Sequence, residues 1–212
     1  MSYLEIIMGP MFSGKTEMLI NIYNTYSLIS KPHNILLSTI FCIAFNYHKD
    51  TRYGENIIAS HNKKSIPSIN IEFLSQIFDH PDFSKTTHIF INEAQFFSDL
   101  KDSIIRLVEH HNKHVIICGL DSDFKRDKFG DMWDLIPHAD QLTKLYGKCN
   151  NCNGKSLFTH RVSCEKQQEV IGNHNYIPLC RHCYLNVNNL LTNNVSLTIK
   201  PVLNNQVLLS IN

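Results

Sequence analysis

A glycine-rich stretch near the start of the chain restricts its possible folds more than any other feature. The stretch reads Gly9-Pro10-Met11-Phe12-Ser13-Gly14-Lys15-Thr16 and matches the pattern G-x-x-x-x-G-K-[ST] at every fixed position. An apolar run at residues 3–8 precedes it, and a helical pattern of apolar side chains begins at Thr16. In this context backbone N–H groups curl around phosphate oxygens, Lys15 reaches the β- and γ-phosphates, and the Thr16 hydroxyl is a candidate Mg²⁺ ligand. The sequence therefore predicts a strand, a phosphate-binding loop and a helix that together bind ATP·Mg²⁺.

Strand-like and helical patterns alternate along the first two thirds of the chain. Near-continuous apolar runs occupy residues 3–8, 34–45, 88–92, 114–120 and 142–146. Helical patterns occupy residues 16–30, 72–78 and 98–108, and Ser98 is the predicted N-cap of the last. Buried strands that alternate with helices are typical of a mainly parallel sheet. The predicted fold class is α/β, a P-loop NTPase-like sheet flanked by helices.

Four of the seven cysteines form two C-x-x-C pairs, Cys149 with Cys152 and Cys180 with Cys183. Each pair suits a tight metal-binding turn, and four thiolates complete a closed tetrahedral Zn²⁺ site. The 27 residues between the pairs exceed the commonest spacing of such sites. A redox pair, isolated buried thiols, and His182 in place of one cysteine are the alternatives. Because four protein ligands leave no open position, the predicted zinc is structural.

The composition changes at about Gly147, where cysteine, asparagine and alternating polar residues replace the helical periodicity. Residues 157–162 and 168–171 are predicted to pair as a hairpin. We therefore predict a P-loop domain over residues 1–146, a small zinc-binding domain over residues 147–190, and a tail over residues 191–212.

The charge balance of the chain argues against a nucleic-acid partner. Twenty basic and nineteen acidic residues give a net charge of +1, whereas proteins that bind nucleic-acid phosphates usually carry a basic excess. A zinc-ribbon P-loop ATPase that binds nucleic acid is kept as an alternative. We see neither an apolar run of about eighteen residues nor a secretory signal, so we expect no membrane partner and a cytoplasmic location.

A carboxylate follows the apolar run of residues 88–92. Glu93 comes directly after this predicted strand, where ligands bind in open α/β sheets, and it is a candidate general base. The alternative is a surface glutamate that caps a helix. The preceding residue is Asn92, although P-loop enzymes usually carry an aspartate there to hold Mg²⁺ and a neutral amide binds the ion more weakly.

Further motifs follow the phosphate loop in a fixed order. They are Lys49-Asp50-Thr51-Arg52-Tyr53, Glu93-Ala94-Gln95-Phe96-Phe97 and Phe124-x-x-x-x-Phe129-Gly130. Together with the phosphate loop and the two cysteine pairs, they resemble the type II thymidine kinases, the family of cellular and poxviral deoxythymidine kinases, over residues 2–184. The resemblance implies transfer of the ATP γ-phosphate to the 5′-hydroxyl of thymidine. A related deoxynucleoside kinase with a shifted base preference is the alternative.

The resemblance also implies roles for individual residues. Glu93 would be the catalytic base, Lys15 and Arg52 would act on the transferred phosphate, and Asp50 would hold the deoxyribose. ATP and Mg²⁺ would be bound by residues 9–16 with Asn92. The thymine pocket would be lined by Met11, Phe96, Leu120, Phe124 and Phe129. The zinc-binding domain would form a lasso that holds thymidine through Thr159, Val170, Gly172 and Tyr176.

Members of the resembled family are typically homotetramers inhibited by dTTP, and the resemblance implies both here. Asn92 stands where the family has aspartate, and Ala94 stands where it usually has glycine. We therefore hypothesise an active enzyme with a raised Mg²⁺ requirement. Residues 39–47 form a longer link than the corresponding one in the family.

Overall fold

The computed structural model describes residues 2–29, 40–165, 167–169 and 175–189. The strands are β1 Tyr3–Gly9, β2 Cys42–Tyr47, β3 Ile57–Ala59, β4 Ser65–Pro67, β5 Ile69–Ile71, β6 His88–Ile91, β7 His114–Leu120, β8 Gln141–Lys144, β9 Gly147–Lys148, β10 Lys155–Ser156, β11 Phe158–Arg161 and β12 Tyr176–Leu179. The α-helices are α1 Lys15–Ile29, α2 Leu100–Ile105 and α3 Arg181–Val187. Tighter 3₁₀ turns lie at Leu74–Asp79, Ala94–Phe96 and Met132–His138, and a π-helical turn at Arg106–His110 continues α2.

Six strands form one parallel sheet in the order β5-β2-β6-β7-β1-β8. Its central strands β1, β6 and β7 are apolar on both faces, as expected of strands covered by helices on each side. Ile7 of β1 belongs to the core that contains Leu19 and Ile20 of α1, whereas its neighbour Ile6 belongs to the core that contains Leu100 of α2. The predicted α/β class with a parallel sheet and flanking helices is confirmed.

The helix predicted over residues 98–108 begins later than the sequence indicates. The prediction of Ser98 as its N-cap is wrong, because α2 begins at Leu100 after Asp99. The Asp99 carboxylate accepts hydrogen bonds from the backbone N–H groups of Leu74 and Ser75 at 3.0 and 2.8 Å. Asp99 thus fastens α2 to the 3₁₀ turn Leu74–Asp79, a contact that no local pattern contains.

The predicted strand of residues 34–45 lies partly outside the described residues, and its described part begins as β2 at Cys42. The tail, residues 191–212, lies wholly outside them. Strand β8 is the last strand of the large sheet and ends at Lys144, and the next strand, β9, starts at Gly147. The division of the chain near residue 146 stays a prediction.

The part of the chain after residue 146 contains two small antiparallel pairs, β9 with β10 and β11 with β12, followed by α3. The predicted hairpin partner of β11 is wrong, since β11 pairs with Tyr176–Leu179. Gln168 lies outside any strand, and its side-chain amide donates to Asp123 Oδ2 at 3.0 Å and to the Lys128 carbonyl at 3.1 Å. Residues 170 and 171 of that prediction lie outside the described residues.

None of the helices in the described ranges has the length and apolar character that crossing a bilayer would require.

Candidate functional site

The carboxyl ends of β1, β2, β6 and β7 meet at one edge of the sheet and surround a cavity of about 310 Å³. Crevices at this edge are the usual ligand sites of open α/β sheets. The predicted site residues that line the cavity are Met11, Phe12, Gly14, Lys15, Thr16, Asp50, Arg52, Glu93, Phe96, Leu120, Phe124, Phe129, Thr159 and Tyr176. Gly9, Pro10, Ser13 and Asn92 are not part of this lining, and Val170 and Gly172 lie outside the described residues.

The phosphate loop joins β1 to α1 and turns through left-handed backbone at Phe12 and Gly14, whose φ values are 61° and 86°. The ammonium group of Lys15 is buried and donates to the carbonyl of Pro10 at 2.8 Å. Burial lowers the pKa of Lys15, and the nearby Glu93 carboxylate opposes part of that effect. The backbone N–H of Met11 donates to Thr159 Oγ1 at 3.0 Å, so the loop touches the cysteine-rich part of the chain directly.

One arginine joins two carboxylates at the centre of the cavity. Arg52 Nε and Nη2 donate to the two carboxylate oxygens of Asp50 at 2.5 and 3.0 Å, and Nη2 also contacts Glu93 Oε1. Burial alone would raise the pKa of Glu93, but the positive charges of Arg52 and Lys15 and a hydrogen bond from Gln95 outweigh it and hold the pKa below the ordinary value. Glu93 is therefore ionised at neutral pH.

Asn92 lies directly behind the phosphate loop and is almost fully buried. Its side-chain oxygen accepts from Thr16 Oγ1 at 3.3 Å and from Cys118 Sγ at 3.1 Å. Its side-chain nitrogen donates to Asn46 Oδ1 at 2.9 Å. The position that sequence reasoning assigned to Mg²⁺ binding is thus part of a neutral amide pair in contact with Thr16.

The four paired cysteines lie together after the large sheet. The sulfur atoms of Cys149, Cys152, Cys180 and Cys183 all lie within 4.8 Å of one another. Zn–S bonds of about 2.3 Å in tetrahedral geometry require sulfur atoms about 3.8 Å apart, and the Cys152 and Cys180 sulfurs are 3.6 Å apart. This donor set fits a metal ion that prefers thiolates.

Comparisons with known proteins agree with this site. The sequence model of the family described as "Thymidine kinase" matches residues 2–184. The chain belongs to the thymidine kinase family. It is 35% identical to "Thymidine kinase" of Oryza sativa subsp. japonica over 186 residues, 86% of this chain and 66% of the rice protein. It is 35% identical to "Thymidine kinase" of Yaba monkey tumor virus over 188 residues, 88% of this chain and 97% of the viral protein. It is 30% identical to "Thymidine kinase, cytosolic" of Bos taurus over 182 residues, 85% of this chain and 71% of the bovine protein.

The match to the thymidine kinase family spans both the sheet and the four cysteines, so the two parts of the cavity wall belong to one family pattern. Sequence reasoning nevertheless missed several residues of the wall. They are Tyr47, Tyr53, Ser122, Asp123, Gln168 and Glu169. Tyr47 stacks on Phe96 with ring centroids 5.1 Å apart, and Phe129 meets Phe96 edge-on at 5.3 Å. The signal for Tyr47 was its place at the end of β2, directly before the Asp50–Arg52 segment.

Sequence reasoning also missed Gln95, which lies two residues after Glu93 in a motif of the thymidine kinase family. Gln95 is buried, and its side-chain nitrogen donates to Glu93 Oε2 at 2.7 Å while its side-chain oxygen accepts from the backbone N–H of Leu120 at 2.9 Å. A Cβ on Gly130, where φ is +58°, would come within 2.3 Å of the Gln95 carbonyl oxygen. Glycine at this position therefore lets the segment of Phe129 pack closely against the segment that holds Glu93.

We expect Glu93 to make the free energy of unfolding depend on pH. Its folded-state pKa lies below the ordinary value of 4.5, so its ionised form stabilises the fold above that value, and this contribution is lost as the pH falls through the folded-state pKa. Urea unfolding of the unsubstituted protein and Glu93→Gln should differ most near pH 7. The difference should shrink below pH 4.5, by about 1.4 kcal/mol for each unit separating the two pKa values.

Glu72→Gln is the control for this titration, because Glu72 is exposed and lies outside the cavity lining. A stability difference between the unsubstituted protein and Glu93→Gln that stays constant from pH 7 to the acid range would contradict the expectation.

Proposed function

We propose that this member of the thymidine kinase family transfers the γ-phosphate of ATP to the 5′-hydroxyl of thymidine and releases ADP and dTMP. The observation that carries the proposal is the convergence of Lys15, Arg52 and Glu93 on one cavity that is lined both by the phosphate loop and by aromatic side chains. A phosphoryl donor and a nucleoside acceptor fit these two kinds of lining, because phosphate needs cations and N–H groups whereas a base needs apolar surface. The names of the plant, viral and bovine relatives support the same activity.

Glu93 is the proposed general base. A base must be unprotonated before it can accept the proton of the attacking hydroxyl, and the lowered pKa of Glu93 meets this requirement at neutral pH. The hydroxyl oxygen then forms the new bond to the γ-phosphorus as the bond from that phosphorus to the β-phosphate oxygen breaks. Lys15 and Arg52 supply positive charge beside the transferred group.

The acceptor half of the proposed site combines a polar end with an apolar wall. Asp50 is the proposed ligand of the deoxyribose. It pairs with the same Arg52 that contacts Glu93. The proposed thymine pocket comprises Met11, Phe96, Leu120, Phe124 and Phe129, all of which line the cavity. Thr159 and Tyr176 line it from the cysteine-rich side and support the proposed contact of the lasso with thymidine. The roles of Val170 and Gly172 stay predictions.

The residues around Thr16 fit Mg²⁺ only in part. The Thr16 hydroxyl and the ATP phosphates would hold the ion, and Asn92 would contribute a neutral oxygen in place of a carboxylate. When bound, the ion would neutralise charge on the phosphates. The Asn92 oxygen already accepts from Thr16 and from Cys118, which supports our hypothesis of a raised Mg²⁺ requirement.

We further propose that the four-cysteine cluster holds a structural Zn²⁺. The buried cluster around it contains few apolar side chains, namely Leu179 and Tyr184 with the partly buried Phe158 and Ile177. A segment with so small a core usually needs a metal or a disulfide to stay folded. His182 is exposed and lies outside the cluster, so the cysteines are the favoured ligands.

We also propose a cytosolic location, a homotetrameric assembly and inhibition by dTTP. The bovine relative is named cytosolic, which supports the location. The tetramer and dTTP inhibition rest on the family resemblance alone.

The proposed function is tested by phosphate transfer from γ-labelled ATP to each of the four natural deoxynucleosides and to deoxyuridine. We expect thymidine to be the preferred acceptor. Glu93→Gln should lower kcat by about 10²–10⁴-fold, because the general base is lost. Glu109→Gln, which changes a surface glutamate, should keep full activity. No transfer to thymidine, or full activity of Glu93→Gln, would refute the proposal.

The hypothesis of a raised Mg²⁺ requirement is tested by Asn92→Asp. The introduced carboxylate should lower the Mg²⁺ concentration that gives half-maximal turnover, because it binds the ion more strongly than an amide. It would also lose the hydrogen bond to Asn46, so we expect a loss of stability of about 1 kcal/mol, measured by urea unfolding. A folded variant with an unchanged Mg²⁺ dependence would contradict the hypothesis.

The zinc proposal is tested by metal analysis of two cysteine variants. The purified protein should contain one zinc per chain. Cys152→Ser should lose the metal and unfold at a lower temperature, since the three remaining thiolates would bind zinc more weakly than four. Cys164→Ser is the matched control, because Cys164 is exposed and lies outside the cluster. A zinc-free protein of undiminished thermal stability would be inconsistent with a structural metal.

A further inference from the structure

Arg161, the last residue of β11, is a buried cation whose guanidinium donates to backbone carbonyls and to a tyrosine hydroxyl. Its Nη1 donates to the backbone carbonyls of Glu165, at 3.1 Å, and of Gln167. Its Nη2 donates to the carbonyl of Gln168, at 2.9 Å, and to the hydroxyl of Tyr176. Burying a guanidinium is costly, and hydrogen bonds to several carbonyls offset that cost only if the chain is folded tightly around it.

The same guanidinium stacks on two aromatic rings of the cavity wall. Its central carbon lies 3.9 Å from the centroid of the Phe124 ring and 5.0 Å from that of Tyr176. Both rings line the cavity, whereas Arg161 does not. Arg161 therefore fixes the positions of wall residues from behind, by cation–π contact and by hydrogen bonds.

A second contact connects the same wall to the segment that follows β7. The side-chain amide of Gln168 donates to Asp123 Oδ2 at 3.0 Å and to the carbonyl of Lys128 at 3.1 Å. Asp123 is itself held, because its Oδ1 accepts from the backbone N–H groups of Lys125 and Asp127 at 2.8 and 2.9 Å. Gln168 and Asp123 both line the cavity, so this hydrogen bond joins two parts of its wall.

We propose that Arg161 is a positioning residue for the acceptor nucleoside: it holds the wall formed by Phe124, Gln168 and Tyr176 in its binding geometry before the nucleoside arrives. A wall assembled in advance spares the nucleoside the entropic cost of ordering it, which strengthens binding without any direct contact. The inference rests on the proposed function, because the proposed function places the acceptor nucleoside against this wall.

Lysine cannot replace Arg161 in this role. A guanidinium offers five N–H donors in a plane that stacks on aromatic rings, whereas an ammonium is a compact, strongly hydrated point charge. Arg161→Lys keeps the positive charge but loses the planar set of N–H donors and the surface that stacks on the rings. Arg161→Met loses the charge as well. The two variants separate the effect of geometry from that of charge.

The experiment measures the KM of thymidine, the KM of ATP and kcat for both variants. We expect both to raise the KM of thymidine about tenfold or more, as loss of several charge-assisted hydrogen bonds predicts. The KM of ATP and the kcat at saturating thymidine should each stay within about threefold, because Arg161 contacts no part of the phosphate loop. A general loss of folding would instead lower the fraction of active enzyme and leave both KM values unchanged.

Two further variants keep the inference testable if the Arg161 variants fold poorly. Gln168→Ala removes the second fastening of the same wall, and it should raise the KM of thymidine severalfold with no change in zinc content. Arg181→Met is the matched control, because Arg181 is exposed and stacks on Phe158 at 5.0 Å, outside the cavity lining. It should leave both KM values unchanged.

Equal increases in the two KM values, or an unchanged KM of thymidine in folded Arg161 and Gln168 variants, would overturn the inference while the proposed function stands. A wild-type protein that does not phosphorylate thymidine would refute the proposed function, and this inference with it.

Discussion

The guanidinium of Arg52 lies between the carboxylates of Asp50 and Glu93, and the geometry of the whole cavity depends on this contact. Asp50 comes from the segment after β2 and Glu93 follows β6, so one cation joins the ends of two neighbouring parallel strands. Without it, two buried carboxylates would repel each other and one would take up a proton. With it, Glu93 stays ionised although burial alone would raise its pKa. The same three side chains therefore join two strands of the sheet and keep the proposed general base ionised.

Two structural regions with apolar cores of different size build the cavity. The parallel sheet supplies the phosphate loop and Glu93 from strands whose side chains are almost fully buried. The cysteine-rich region supplies Thr159 and Tyr176 from a small hairpin with only a minor apolar core. The Met11–Thr159 bond and the bond from the Tyr184 hydroxyl to the Phe124 carbonyl, at 2.7 Å, connect the two regions. The region with little core of its own is thus held by polar contacts to the sheet and, in our proposal, by zinc.

Buried polar groups around the phosphate loop form a neutral network. Asn92 connects Thr16 to Asn46, and the Asn46 amide in turn donates to the carbonyl of Asp50 at 3.3 Å. An amide both donates and accepts, so a single side chain can satisfy Thr16 on one side and Asn46 on the other. A carboxylate at position 92 could only accept, which would leave the oxygen of Asn46 facing another acceptor. The amides at positions 46 and 92 are therefore matched to each other.

The sequence by itself determined the phosphate loop, the alternation of buried strands and helices, the cysteine pairs and the approximate position of Glu93. Each is a local pattern, because backbone conformation and ligand spacing are set within a few residues. Only the tertiary structure decided that Asp99 fastens two helical segments, that β11 pairs with Tyr176–Leu179, and that Gln95 and Arg161 hold the cavity wall. Met11 and Thr159, which are hydrogen-bonded to each other, are 148 positions apart. The partner of a buried polar group depends on which elements pack against each other, and no short window of sequence contains that information.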